Sequence, residues 1–147
     1  PGHTMGSICL LYGDHLFSGD HVLEEMSPNV GGGDIRQQGL LRHFLESLKR
    51  IQGVRTSPMV MPGHGTPFND LTERCQQLIE HHQERLDQIT TILEGKELSV
   101  YELACEVFGE LDDFHIFLGC AEANSHLQHL AEDQLVVEND GRFRLAD

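Results

Sequence analysis

The sequence predicts an α/β unit, over residues 1–84, followed by a small winged helix-turn-helix domain over residues 85–147. Three observations carry this reading. Short apolar segments alternate with helical amphipathic stretches in the order strand, strand, helix, strand, helix. The tail then reads helix, helix, hairpin. Charge is split in the same way: residues 87–147 hold fourteen acidic groups against three basic ones (net −11), whereas residues 1–86 hold ten against seven.

The first two strands are 7–12, "SICLLY", and 15–19, "HLFSG", joined at Gly13-Asp14, a two-residue hairpin signal. The run "EEMSPNVGGGDIRQQG" holds Pro28 and three consecutive glycines and reads as a mobile loop. Leu41, Phe44, Leu45, Leu48 and Ile51 recur at helical spacing, which predicts a helix over 38–51. Residues 57–61, "SPMVM", form a short buried strand ending in "PGHG". After Asn69 as cap, Leu71, Cys75, Leu78, His82, Ile89 and Leu93 step by three and four along a helix that stops at Gly95. In the tail, Ser99 with Glu102 three residues on is a capping box for "LSVYELACEVFG". "AEANSHLQHLAED" is a second helix, and "QLVVENDGRFRL" turns at Asn139-Asp140-Gly141. The end of the 70–93 helix serves as the first helix of the winged unit.

The triplet Gly-Asp-His occurs twice, at Asp14 and Asp20. With Gly13 and Asp14 as turn residues, Tyr12 faces His15, and continued pairing sets Ser7 opposite Asp20. Asp20 then lies at the open end of the hairpin beside the loop holding His3. Asp14 sits about 20 Å away at the closed end, where a tight turn explains it. Two Pro-Gly-His segments flank this region, "PGHTMGS" with His3 and "MPGHGTPF" with His64. Glycines on either side let backbone approach closely, and an imidazole at the end of a buried strand lies where α/β proteins place functional groups.

These residues resemble the C-terminal half of the metallo-β-lactamase fold superfamily. "PGHTMGS" is similar to its third metal-binding motif, "FSGD" to the fourth and "MPGHG" to the fifth, in the right order. The tail resembles the winged-helix domain that a subgroup of these hydrolases carries, and "SPNVGGG" falls where that subgroup has a loop near the active-site entrance. The resemblance implies the second half of an αββα sandwich. It implies His3 as ligand of one metal, Asp20 as the catalytic bridging carboxylate and His64 as ligand of the other. It further implies two divalent ions, zinc ahead of iron or manganese, with a bridging hydroxide that hydrolyses an ester, thioester or phosphodiester. The family's His-x-His-x-Asp-His motif is absent from these 147 residues. The expectation is therefore a chain that needs the missing N-terminal half and is inactive alone.

The remaining histidines have structural readings. His15 and His21 are expected in turn or supporting roles. His81 and His82 point roughly 100° apart on a helix, with His82 packed on the apolar stripe. His126 and His129 are expected at the surface. Cys9, Cys75, Cys105 and Cys120 lack CxxC spacing and read as reduced thiols in a cytoplasmic setting. The longest apolar run, about five residues at "ICLLY", is far short of the roughly 18 that span a membrane. As partners we expect a small-molecule substrate and no membrane, with a homodimer open. A nucleic-acid-binding winged helix is the alternative function, and a non-catalytic scaffold a third. Residues 119–133, the candidate recognition helix, contain no Lys or Arg, and only Arg142 and Arg144 on the wing favour phosphate contact.

Overall fold

The computed structural model describes residues 3–32, 37–54 and 56–146. A hairpin of β1 (Leu10–Tyr12) and β2 (His15–Gly19) is joined by β3 (Met59–Pro62) in one sheet, with β2 at its centre. The hairpin register is the expected one: Leu10 faces Phe17, Leu11 faces Leu16 and Tyr12 faces His15. Gly13 takes the left-handed conformation at φ 57°, which a two-residue turn demands of its first position. Asp14 contributes its backbone carbonyl to the Met59 N–H at 2.8 Å, so its role is to join turn to sheet.

β3 runs parallel to β2, with a register irregularity between Phe17 and Gly19. Pleating sends Leu16 and Val60 into the core. The opposite face carries Leu10, Phe17 and Met61 in one row and Tyr12, His15 and Met59 in the next. Leu10 is 58% and Tyr12 75% exposed there.

Helix α1 (Leu40–Gln52) lays Leu41, Phe44 and Leu48 wholly inside against α2 (Leu71–Ile92). Every predicted stripe residue of α2 is buried, His82 included, and α2 is one continuous helix through residues 84 and 85. Its N-cap is Asp70 in a left-handed conformation, not Asn69, with no side-chain capping hydrogen bond among the described residues.

The tail closes a second sheet, ordered β4-β6-β5, from β4 (Leu98–Ser99), β5 (Val136–Asn139) and β6 (Arg142–Leu145). Asp140 and Gly141 both hold positive φ between the last two strands, as a type I′ turn requires. Between β4 and β5 lie α3 (Val100–Phe108) and α4 (Asp113–Glu132). The Ser99–Glu102 capping box forms in both directions. Helix α4 starts well before the predicted 121, and Gly119 within it admits Leu111, whose Cδ1 would lie 2.8 Å from an added Cβ. One apolar core runs from Leu16 and Val60 through Phe44 and Leu78 to Leu127 and Phe143.

The glycine-rich loop departs from expectation. Residues 33–36 lie outside the described residues, but residues 27–32 are fastened to α4 rather than mobile. The Val30 N–H donates to Glu122 Oε2 at 2.8 Å, Ser125 Oγ donates to the Val30 carbonyl at 2.8 Å, and Asn29 Nδ2 donates to the Leu118 carbonyl at 3.1 Å. Gly31 lies so close that an added Cβ would sit 2.7 Å from the Ala121 carbonyl oxygen. Backbone groups leaving regular structure must find partners, and here α4 supplies them.

Candidate functional site

Asp20 and His64 emerge at the carboxyl ends of two adjacent parallel strands, β2 and β3. The Gly63 N–H donates to the Gly19 carbonyl at 2.9 Å, extending the pairing by one step and aligning the two loops. A two-way bridge between Val60 and Phe68 closes the loop that carries His64 at its tip. His64 Nδ1 lies 2.6 Å from Asp20 Oδ1. His3 Nε2 lies 3.9 Å from the other carboxylate oxygen, Oδ2. The three residues singled out from sequence are thus brought together, and Asp14 is left at the far end of the hairpin.

Two neighbours tune this cluster. His3 Nδ1 is 2.9 Å from the Asn29 carbonyl, an acceptor that fixes the proton on Nδ1 and leaves the Nε2 lone pair facing Asp20. Gly63 has no side chain where one would overlap Asp20 Oδ1. Asp20 and His3 are partly shielded, while the His64 side chain is 73% exposed. At 2.6 Å the His64–Asp20 contact is a direct hydrogen bond with no room for an ion between its atoms. The donor set nevertheless fits divalent metal: two imidazoles, each on a separate oxygen of one carboxylate, form the arrangement a bridging ligand needs.

The other histidines divide differently from the sequence reading. His15 is exposed on β2. His21 is buried with its ring against the edge of Phe44, and neither ring nitrogen has a hydrogen-bond partner among the described residues. Burial pushes its pKa down to about 4. His126, expected at the surface, is 0% exposed, and the His129 side chain retains only 11% of its exposure. The reason is the length and docking of α4, which turns this face onto α2 and the 27–32 loop.

His126 belongs to a buried group that local sequence did not reveal. Its Nε2 lies 3.1 Å from His82 Nδ1, and Glu122 Oε1 lies 3.8 Å from the same His82 atom. Burial holds both imidazoles neutral, His82 down to about 2 and His126 to about 4, and raises Glu122 to about 7. The spacing of Glu122 and His126 by four on one helix was the available signal; the third member is 44 residues away on another helix. A cavity of about 440 Å³, lined by Ser27, Asn29, His81, Arg85 and Glu122 among others, opens beside this group.

Related proteins share both fold and sequence. A solved metallo-β-lactamase family protein from Thermus thermophilus superposes with a TM-score of 0.87 over 99% of this chain and 47% of its own, at 29% identity. The α/β fold matches that of metallo-β-lactamase family members. Among sequence relatives, the "Probable metallo-hydrolase YqjP" of Bacillus subtilis is 23% identical over 144 residues, covering 93% of this chain and 44% of the relative. An atrochrysone carboxyl ACP thioesterase of Aspergillus fumigatus is 28% identical over 97 residues, 65% of this chain and 28% of the thioesterase. No family model matches the chain. The chain spans less than half the length of these relatives, and no helix among its described residues is long and apolar enough to cross a membrane.

Proposed function

We propose that this chain contributes His3, Asp20 and His64 to a binuclear metal centre in a hydrolase of esters, thioesters or phosphodiesters. The observation that carries the proposal is the division of the Asp20 carboxylate, one oxygen toward His64 and the other toward His3. Bound there, divalent cations, zinc foremost, supply Lewis acidity toward water and toward the oxygen of the bond under attack. The chain's own residues do the positioning. Asn29 orients His3, Gly63 leaves room for the Asp20 carboxylate, and the Val60–Phe68 bridge holds the His64 loop at the strand end. Named metallo-hydrolase and thioesterase relatives support the hydrolytic reading, with a thioester as the first substrate class to try.

We read residues 1–84 as the C-terminal part of an αββα catalytic domain and residues 85–147 as a winged-helix domain, with α2 shared between them. The outer sheet face, with Leu10, Tyr12 and Phe17 exposed, supports a second layer packed there by the other half of the protein. Two arginines on the wing are already engaged: Arg142 bonds the Glu97 carbonyl and pairs with Glu102 at 3.0 Å, and Arg144 bonds the Leu145 carbonyl. That occupation and the acidic tail disfavour nucleic acid as partner. Four free cysteines suit a reducing, cytoplasmic compartment.

The test is metal analysis and thioester hydrolysis by the complete protein, wild type against Asp20→Ala. Loss of about one to two equivalents of metal together with turnover is expected. Unchanged metal content and rate in the folded variant would remove the bridging role.

A further inference from the structure

We propose that His82, Glu122 and His126 form a second divalent-metal site, separate from the His3–Asp20–His64 cluster, that fastens the 27–30 loop to α2 and α4. Nδ1 of His82, a carboxylate oxygen of Glu122 and a ring nitrogen of His126 lie within 4.8 Å of one another. Metal–ligand bonds of about 2.0–2.1 Å in a tetrahedron set ligand atoms roughly 3.3 Å apart. The observed 3.1 Å between the imidazoles and 3.8 Å from His82 to Glu122 straddle that value.

Each ligand is aimed by its other polar atom. His126 Nδ1 donates to the Glu122 carbonyl at 2.8 Å, which leaves Nε2 as the lone-pair nitrogen toward His82. Glu122 Oε2 is held by the Val30 N–H, leaving Oε1 for the cation. His82 Nε2 faces Ser27 Oγ at 3.4 Å. This outer ring of partners is what metal-ligating histidines and carboxylates use to fix tautomer and direction.

The protons balance without any further reactant. Without metal, the two imidazoles share a hydrogen bond from His82 Nδ1–H to His126 Nε2. With an ion bound, His82 would carry its proton on Nε2 and donate a hydrogen bond from it to Ser27 Oγ, and Glu122 would release its own proton to solvent through the adjoining cavity. Two neutral imidazoles and one carboxylate bring one negative charge, so a bound divalent ion would keep one positive charge, and the mixed nitrogen and oxygen donors suit zinc-class ions. Glu122 lines the cavity, which gives a route in and room for water as a fourth ligand.

The experiment uses cobalt(II) alone as probe. It is titrated into the metal-stripped triple variant His3→Ala, Asp20→Ala, His64→Ala, so that the first cluster cannot contribute. Expected are one equivalent bound, strong visible absorption of a four-coordinate site, and a Tm rise of about 5 to 10 °C at a hundredfold excess over Kd. Glu122→Gln added to that background should weaken binding at least tenfold. NMR of the triple variant locates the ion without altering the buried site: ring resonances of His82 and His126 should broaden before those of His115 and His129. No bound cobalt in the folded triple variant, affinity unchanged by Glu122→Gln, or broadening centred on other histidines would each overturn the assignment. Failure of the first cluster to bind metal would leave this result unaffected.

Discussion

A methyl group added at Gly63 would overlap the Asp20 carboxylate and lie 3.1 Å from the Gly19 carbonyl carbon. Gly63→Ala should therefore displace Asp20 and weaken metal binding by the complete protein about tenfold or more, with a stability loss of about 1–3 kcal/mol as the strand ends separate. Calorimetric titration and thermal melting would check both, and wild-type affinity would show that Asp20 has room to spare. The buried titratable side chains set the pH dependence. His21, His82 and His126 are held neutral well below the ordinary 6.5, so the unfolded chain binds three protons that the native state refuses between about pH 4 and 6.5. Glu122 acts in the opposite sense: raised to about 7, it keeps a proton that the unfolded chain loses above its ordinary 4.5. The difference is two protons, so between about pH 4.5 and 6.5 stability should climb with pH by roughly 3 kcal/mol per unit, then level off near neutrality. Glu122→Gln removes the compensation and should steepen that climb by about half. Urea denaturation of the metal-free protein at about pH 5, 6 and 7 measures it, and a flat profile would show that these groups are not the controlling ones.

Among the elements, α3 depends on its first turn. Ser99 Oγ accepts from the Glu102 N–H while the Glu102 carboxylate accepts from the Ser99 N–H at 2.8 Å. Ser99→Ala should cost about 1 kcal/mol in chemical denaturation, and a change within error would assign the end of α3 to packing alone. That cap was legible because both partners lie within four residues, as were the hairpin turns and the stripes of α1 and α2. Register made Asp20 legible too, since a two-residue turn fixes every pairing that follows it. Other features depended on distance. The opening turns of α4 carry Phe114, Ile116 and Phe117 on exposed positions, so no apolar stripe announces them, and Gly119 reads as a break. β4 has two residues and pairs with a strand more than forty positions away. The glycine run looked unrestrained because its anchors, Leu118, Glu122 and Ser125, are about ninety residues downstream. The same separation hid the His82–Glu122–His126 group, none of whose members is unusual in its own segment.

At the scale of the molecule, two surfaces contrast. The tail is acidic, with apolar exposure at scattered positions such as Phe114 and Leu135, whereas the first sheet presents Ile8 at 80% exposure beside Leu10, Tyr12 and Phe17. β1 is also an edge strand, with one row of backbone groups that no strand among the described residues pairs. The 147-residue chain by itself should self-associate and bind a hydrophobic dye. Ile8→Lys with Tyr12→Lys should return it to a monomer in light scattering without lowering Tm by more than about 2 °C. A monodisperse, dye-silent wild type would mean that this face is content in water. The loop that orients His3 has a different consequence, in time rather than space. Its anchors close contacts spanning 89, 92 and 95 residues, and contacts of such reach form after local helices and hairpins have consolidated. The aim of His3 is therefore expected to be set when α4 docks, later than the meeting of Asp20 and His64 that the pairing of β2 with β3 provides.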